Sequence, residues 1–284
     1  MDPAVAWLPS SPSVRFLTLT QVLGRSQRSG EVRAARDGIP RGPRIRAVAA
    51  ARTVFAWVEE KEGWRALRTV AGLPRLHATQ EGYAIAVACR LGLAREAAVG
   101  RLVERLVAAQ WPDGGWNCDP SPAARQSSFH ETLVPLWDLA EYARERGHAG
   151  AGRAADRAAE LLLSHRLFRS HRTGEVADPG WLRFHHPPYW HYDVLHALLI
   201  LSRCGRVGDP RAGEALDLLE AKRRPEGRWN ADGRRYWRPP GSAGSNVEAV
   251  DWGPSHPSEF VTLNALRVLR AAGRGAGGAY RRPR

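Results

Sequence analysis

One corner recurs between helical stretches of this chain and limits what it can fold into. Its fullest copy runs Gln110-Trp111-Pro112-Asp113-Gly114-Gly115-Trp116, and a looser one runs Lys222-Arg223-Arg224-Pro225-Glu226-Gly227-Arg228-Trp229. Gly63-Trp64 and Gly180-Trp181 fall where the same alternation would place two weaker corners. The spacing predicts four related units of roughly 50 to 65 residues, at the long end of helical-repeat periods. Gln110 ends a helix whose last carbonyls lack partners, and its side-chain amide can donate to them or to a neighbouring turn. Pro112 blocks continuation, and Gly114 accepts backbone angles that a β-carbon forbids. The turn throws Trp116 back over the helix end, where the ring buries a large apolar area while its N–H needs an acceptor. Trp116 and Trp229 are therefore expected to be buried clamps between helical hairpins.

Two kinds of helix alternate around these corners. Residues 101–109 and 213–220 place apolar side chains three and four apart with a charged opposite face, as outer helices do. Residues 189–204 are apolar nearly all round, with Pro188 suited to a first turn and Gly205 to the exit, as in an inner helix packed on several sides. Ser128 and Glu131 read as a capping box opening another inner helix, which Pro135 should bend one turn later. Outer helices are expected near 46–58, 99–110, 153–165 and 211–223. Inner helices should begin near Thr79, Ser128, Pro188 and Ser258. Ahead of them, apolar positions from Ser13 to Leu23 and a charged stretch from Glu31 to Asp37 form a helical pair resembling a HEAT-like cap over residues 1–43, with the repeat domain at 44–284. Residues 238–257 carry too many Gly, Pro and Ser for regular structure and are expected to form a long lid-like excursion.

Gln110-x-x-x-Gly114-x-Trp116 resembles the QW repeat of the terpenoid cyclase and protein prenyltransferase superfamily. The string Pro112 to Asp119, followed by Ser127-Ser128-Phe129-His130-Glu131, is similar to a bacterial squalene-cyclase-like group, as are His165 to His171, Trp190 to Val194, Arg223 to Trp229 and Leu263 to Leu269. The resemblance covers residues 100–269 and implies an all-α fold, an α/α toroid. With about four hairpins where complete toroids have five or more, the toroid is expected to be open or incomplete, or to be completed by an oligomer or partner chain.

Composition narrows the function. A chain of 284 residues with 43% hydrophobic content can bury a sizeable core. The formal charge of +13 comes almost wholly from arginine, Lys61 and Lys222 being the only lysines, and it is spread from Arg15 to Arg284. Without a dense basic helix or an aromatic platform this argues against nucleic-acid recognition; a GC-rich coding bias would give the same arginine excess, and attraction to an acidic lipid surface or a pyrophosphate-bearing substrate ranks ahead of nucleic acid as a use for it. Cys89, Cys118 and Cys204 have no paired spacing, and no segment carries the 18 or so apolar residues of a membrane span, so a cytoplasmic location is expected.

Aligning the inner helices on their leucines puts Tyr83, Thr132, Asp193 and Thr262 in one column, with Glu81, His130, His191 and Phe260 two residues earlier. In the toroid the resemblance implies, these helix starts rim a central cavity, where free N–H groups suit a carboxylate or diphosphate. The same residues read equally as helix caps. The candidate catalytic set is Asp193, His191 and His130, with Glu81, Tyr83, Glu131, Trp190 and His196 binding ligand. His196 lies one turn beyond Asp193 on the same face. The Asp-x-Asp-Asp acid of class II cyclases is absent, and imidazoles beside Asp193 would lower its pKa, unsuiting it to protonate an alkene. No cofactor is required by this reading. If the prenyltransferase branch of the resemblance holds, zinc would sit on Cys118, Asp119, His130 and His191. The resemblance implies a cyclase-like or prenyl-transferring enzyme acting on an isoprenoid or other apolar small molecule, or a non-catalytic binder that kept the fold.

Overall fold

The computed structural model describes residues 12–38, 68–90, 92–233, 253 and 255–274. The protein is all-α in character. Nine α-helices stand among the described residues, against one two-stranded antiparallel hairpin. In chain order these are α1 (Pro12–Leu17), α2 (Gly30–Gly38), β1 (Arg68–Val70), β2 (Leu73–Arg75), α3 (Ala78–Arg90), α4 (Ala97–Ala109), α5 (Phe129–Arg146), α6 (Ala149–Ser164), α7 (Val194–Arg203), α8 (Gly213–Ala221) and α9 (Glu259–Ala271). None of the helices is long and apolar enough to cross a membrane among the described residues. The chain divides into two compact units, one formed by Met1–Ala50, Arg183–Pro187 and Leu216–Arg284, the other by Ala51–Leu182 and Pro188–Ala215.

In the second unit α5 is the centre. Its buried residues run round the helix from Phe129 to Tyr142, and it packs most extensively against α3 and α6. The flanking α4 and α6 bury one stripe each, Val99, Leu102, Val103, Leu106 and Ala109 in α4 and mainly alanines in α6. Alanine lets α6 approach closely and keeps its outer face for charge. Inner and outer helices thus fall as the patterns predict for α3 to α6.

The two Trp corners are built bond for bond alike. In the first, the Trp116 indole N–H donates to Leu106 O (2.8 Å), its amide to Thr132 Oγ1 (3.2 Å), and its carbonyl accepts from the Ser128 amide (2.8 Å). In the other unit the Trp229 indole donates to Leu219 O (2.8 Å), its amide to Thr262 Oγ1 (3.0 Å), and its carbonyl accepts from the Ser258 amide (2.9 Å). Both rings are fully buried. Gly114 and Gly227 take φ of +103° and +81°, the region that favours glycine. A β-carbon on Gly114 would also meet Arg157 O at 2.6 Å. Gln110 Nε2 donates to Gly114 O (2.7 Å) and Ala154 O (2.8 Å), and in the looser copy Arg223 Nε takes over the first of these by donating to Gly227 O (3.2 Å). That substitution explains how a corner without its glutamine still closes.

Three expectations need correction. The helix expected to start near Pro188 starts at Val194, because Asp193 Oδ1 accepts from the His196 amide (2.8 Å) and supplies the better cap. Tyr189 stands at φ +52° before it, and its carbonyl accepts from Tyr83 Oη (2.6 Å). Gly180-Trp181 lies in a 3₁₀ turn, Pro179–Leu182, and not in a clamp; at that junction Tyr192 Oη donates to Leu167 O (2.6 Å) instead. The capping box at α5 is half formed. Ser128 Oγ accepts from the Glu131 amide, but the Ser128 amide goes to Trp116 O and the Glu131 carboxylate points elsewhere.

In the first unit, α1 continues into a π-helical turn, Thr18–Val22, and packs on α2 through Leu19, Val32 and Ala35, in keeping with a helical pair at this end. The expected outer helix at 46–58, the Gly63-Trp64 corner, the boundary after residue 43 and the stretch from 238 to 252 lie outside the described residues.

Candidate metal centre and its aromatic flank

The first Trp corner turns the chain back so that residues 117–118 run beside the exit of β2. The Leu76 amide donates to Asn117 O (3.1 Å), and Trp111 Nε1 donates to Pro74 O (2.6 Å). Arg75, buried with its guanidinium over the Trp111 ring, donates through Nη2 to Ser121 O (3.1 Å) and Ala124 O (3.0 Å). These bonds stitch together the two segments that carry His77 and Cys118. The third residue of α5, Glu131, completes the set. The Thr79 amide donates to Glu131 Oε2 (2.8 Å), which turns Oε1 toward His77 Nδ1 at 3.7 Å.

One ligand atom each from His77, Cys118 and Glu131 lies within 4.8 Å of the others, the only such group among the described residues. The His77–Glu131 separation exceeds a hydrogen bond. It is a little longer than the roughly 3.3 to 3.5 Å edge that an imidazole nitrogen and a carboxylate oxygen span on tetrahedral zinc. The neighbouring Cys118 and then the Glu131 carboxylate favour the protonated ring and raise the His77 pKa to about 10. Burial alone would push Glu131 up, but His77, the Thr79 amide and Cys118 hold it below its ordinary range. A positive charge is thus held where three donors converge, which is the place a divalent cation would take after displacing the His77 proton. A thiolate, an imidazole and a carboxylate form a zinc-type donor set with a fourth position left over.

The structure brings together a different set from the one expected. Of Cys118, Asp119, His130 and His191, only Cys118 belongs to it. Asp119 Oδ1 accepts from the Ser121 amide (2.9 Å) and organises the loop. His130 Nδ1 accepts from the Tyr192 amide (2.9 Å), so its lone pair is spent and the proton sits on Nε2. His77 was missed, and Glu131 was assigned to ligand binding or capping rather than to a metal. The missed signal is at the start of α3. His77 holds the position that Ser128 and Ser258 occupy before α5 and α9, and Glu131 reaches across from α5 to satisfy the α3 amide in its place. The side chain of His77, 55% exposed, is left for other work.

His130, next to Glu131, opens an aromatic flank. Phe129 stacks on Trp181 (4.5 Å between centroids) and meets Tyr192 edge-on (5.1 Å). The His130 ring lies 6.0 Å from His191 and 5.6 Å from Trp190, which stacks on His191 at 3.7 Å and is 49% exposed. His130, His191 and Trp190 therefore do share one surface. Asp193 is buried as the cap of α7, and His196 is buried beside it, its pKa lowered to about 4 by burial, so it stays neutral. Glu81 is buried and paired with Arg105 of α4, Nε to Oε1 at 3.0 Å. Tyr83 ties α3 to Tyr189 O.

The column used to group these residues is out of register. Ser128, Asp193 and Ser258 are the equivalent caps, so Asp193 does not match Thr132 and Thr262, and His191 does not match His130 and Phe260. As a cap, Asp193→Ala should cost about 1 kcal/mol in denaturant melts, while Asp193→Asn, an equally good cap, should cost almost nothing. A loss of bound ligand in Asp193→Asn at unchanged stability would instead assign the carboxylate to the ligand.

Comparison with protein-family models, curated protein sequences and solved structures finds no match to this chain.

Proposed function

We propose that this chain is a zinc-binding, prenyltransferase-like or cyclase-like protein that holds an isoprenoid or other apolar ligand beside its metal. The observation that carries the reading is the convergence of His77, Cys118 and Glu131 from three separate segments. Zinc bound there would supply a Lewis acid able to lower the pKa of a thiol or water in its fourth position. Thr79 fixes the carboxylate, and Trp111 and Arg75 fix the loop. The exposed ring of Trp190 and the half-buried ring of Trp181, backed by the buried Phe129 and Tyr192, offer apolar area for a hydrocarbon chain and π-faces for electron-poor carbon. Three free thiols suit a reducing cytoplasm. A second reading, a non-catalytic isoprenoid binder, is favoured by one observation: Asp193, the leading acid candidate, is occupied in capping α7.

The test is metal analysis of untagged protein together with mass spectrometry of its organic extract. About one equivalent of zinc and a co-purifying isoprenoid lipid are expected. Protein that neither retains zinc nor takes it up when added would remove the metal from the proposal, and an extract free of lipid with no uptake of prenyl alcohols or diphosphates would remove the ligand class.

A further inference from the structure

We propose that a proton is a structural component of the second unit: Asp138 is kept as a neutral carboxylic acid between α3 and α5, and this helix pair loosens when the proton leaves. Asp138 has no exposed surface, and neither of its carboxylate oxygens has a hydrogen-bond partner. Its own amide and that of Leu139 approach it but miss hydrogen-bond geometry. Across the interface stands Gly82, where a β-carbon would lie 3.3 Å from Asp138 Oδ2, 3.1 Å from Val134 Cγ1 and 3.3 Å from the Pro135 nitrogen. The two helices meet here at glycine-limited distance.

The charged groups around it give no counter-ion. From α3 come Glu81, Cys89 and Arg90; Glu81 is paired with Arg105 of α4, and Arg90 with Glu141 (2.7 Å). From α5 itself come Glu141 and Arg144, paired with each other at 3.5 Å. From α7 comes Arg203, lying over the Trp137 ring, and α6 turns alanines and leucines toward α5. Burial drives the Asp138 carboxyl well above its ordinary range, the nearby amides pull it back less, and Glu81 and Glu141 add to the rise. An ionised carboxylate buried without partners is strongly disfavoured, so the neutral form is the one this site tolerates.

The sign follows from linkage. Unfolded, the group ionises near pH 3.9, so between there and its raised folded pKa the protein takes up a proton on folding. The contribution of Asp138 to stability is greatest below about pH 4, falls as pH rises through that window by up to about tenfold in the folded-to-unfolded ratio per pH unit, and levels off above the folded pKa. The experiment compares urea melts of the full chain and Asp138→Asn across this range. The two should coincide near pH 4 and diverge as pH rises, with the asparagine variant the more stable. A difference independent of pH, or an asparagine variant less stable at neutral pH, would overturn the proposal. Should the variant fail to fold, carbon-13 NMR of aspartate-labelled wild-type protein decides: one carboxyl signal should stay in the neutral form well above the pH at which the other aspartates ionise, and its absence would be equally fatal.

Discussion

Replacing Trp116 by alanine should lower the stability of the protein by about 3 to 5 kcal/mol, the range for removing a large aromatic side chain from a packed core. The ring is completely buried, and its indole bond to Leu106 O is one of three that lock the corner. Trp116→Phe should cost less, since it keeps most of the packing and loses mainly the indole donor, leaving a carbonyl at the end of α4 to find a new partner. Trp229→Ala should behave like Trp116→Ala, because its bonding repeats that of the first corner. Trp190→Ala, at a half-exposed ring, should change the midpoint little. Denaturant melts of the four variants check the set; an unchanged midpoint for Trp116→Ala would refute the clamp.

The second large effect concerns the metal. Cys118→Ser should weaken zinc binding by at least about a hundredfold, the upper end of what losing a mere outer partner costs, because it removes a direct thiolate ligand. Cobalt substituted into the wild-type protein should give a sulfur-to-metal charge-transfer band that the variant lacks, whereas Cys89→Ser should retain it. Cys89 and Cys204 serve as controls because burial pushes both thiols up to about 12, which unfits them as thiolate ligands. A variant that binds zinc like the wild type would take Cys118 out of the centre.

Much of the fold could be read from local chemistry. Ser128, Ser258, Pro112 and the corner glycines act within a few residues of themselves, so the starts of α5 and α9 and the two Trp corners followed from sequence alone. The register of the inner helices did not. In a helix as uniformly apolar as α7, sliding the alignment by four residues restores nearly the same leucine stripe, and only the identity of the capping residue breaks the tie. That slip grouped Asp193, itself a cap, with Thr132 and Thr262, which stand four residues beyond theirs. Two of the three candidate metal ligands were illegible for another reason. His77 and Glu131 carry no spacing signal, and what joins them is the reach of Glu131 to the first turn of a different helix. Asp138 was overlooked because a lone acid in an amphipathic stretch looks like an exposed one; its burial is decided by Gly82 on α3.

The bond-for-bond identity of the two corners has an evolutionary and practical side. Between Trp116 and Ser128 the chain spends 11 residues, and between Trp229 and Ser258 it spends 28, yet both ends are held by the same contacts. Lengthening a loop costs only about 0.6 kcal/mol per doubling once its ends are pinned. The segment after each tryptophan is therefore a cassette whose length can differ while its two ends keep the same contacts. In one copy that cassette delivers Cys118. Chemistry can be rewritten there by insertion and exchange, and a segment of 117–127 transplanted behind Trp229 would carry its thiol to a new address in the same chain.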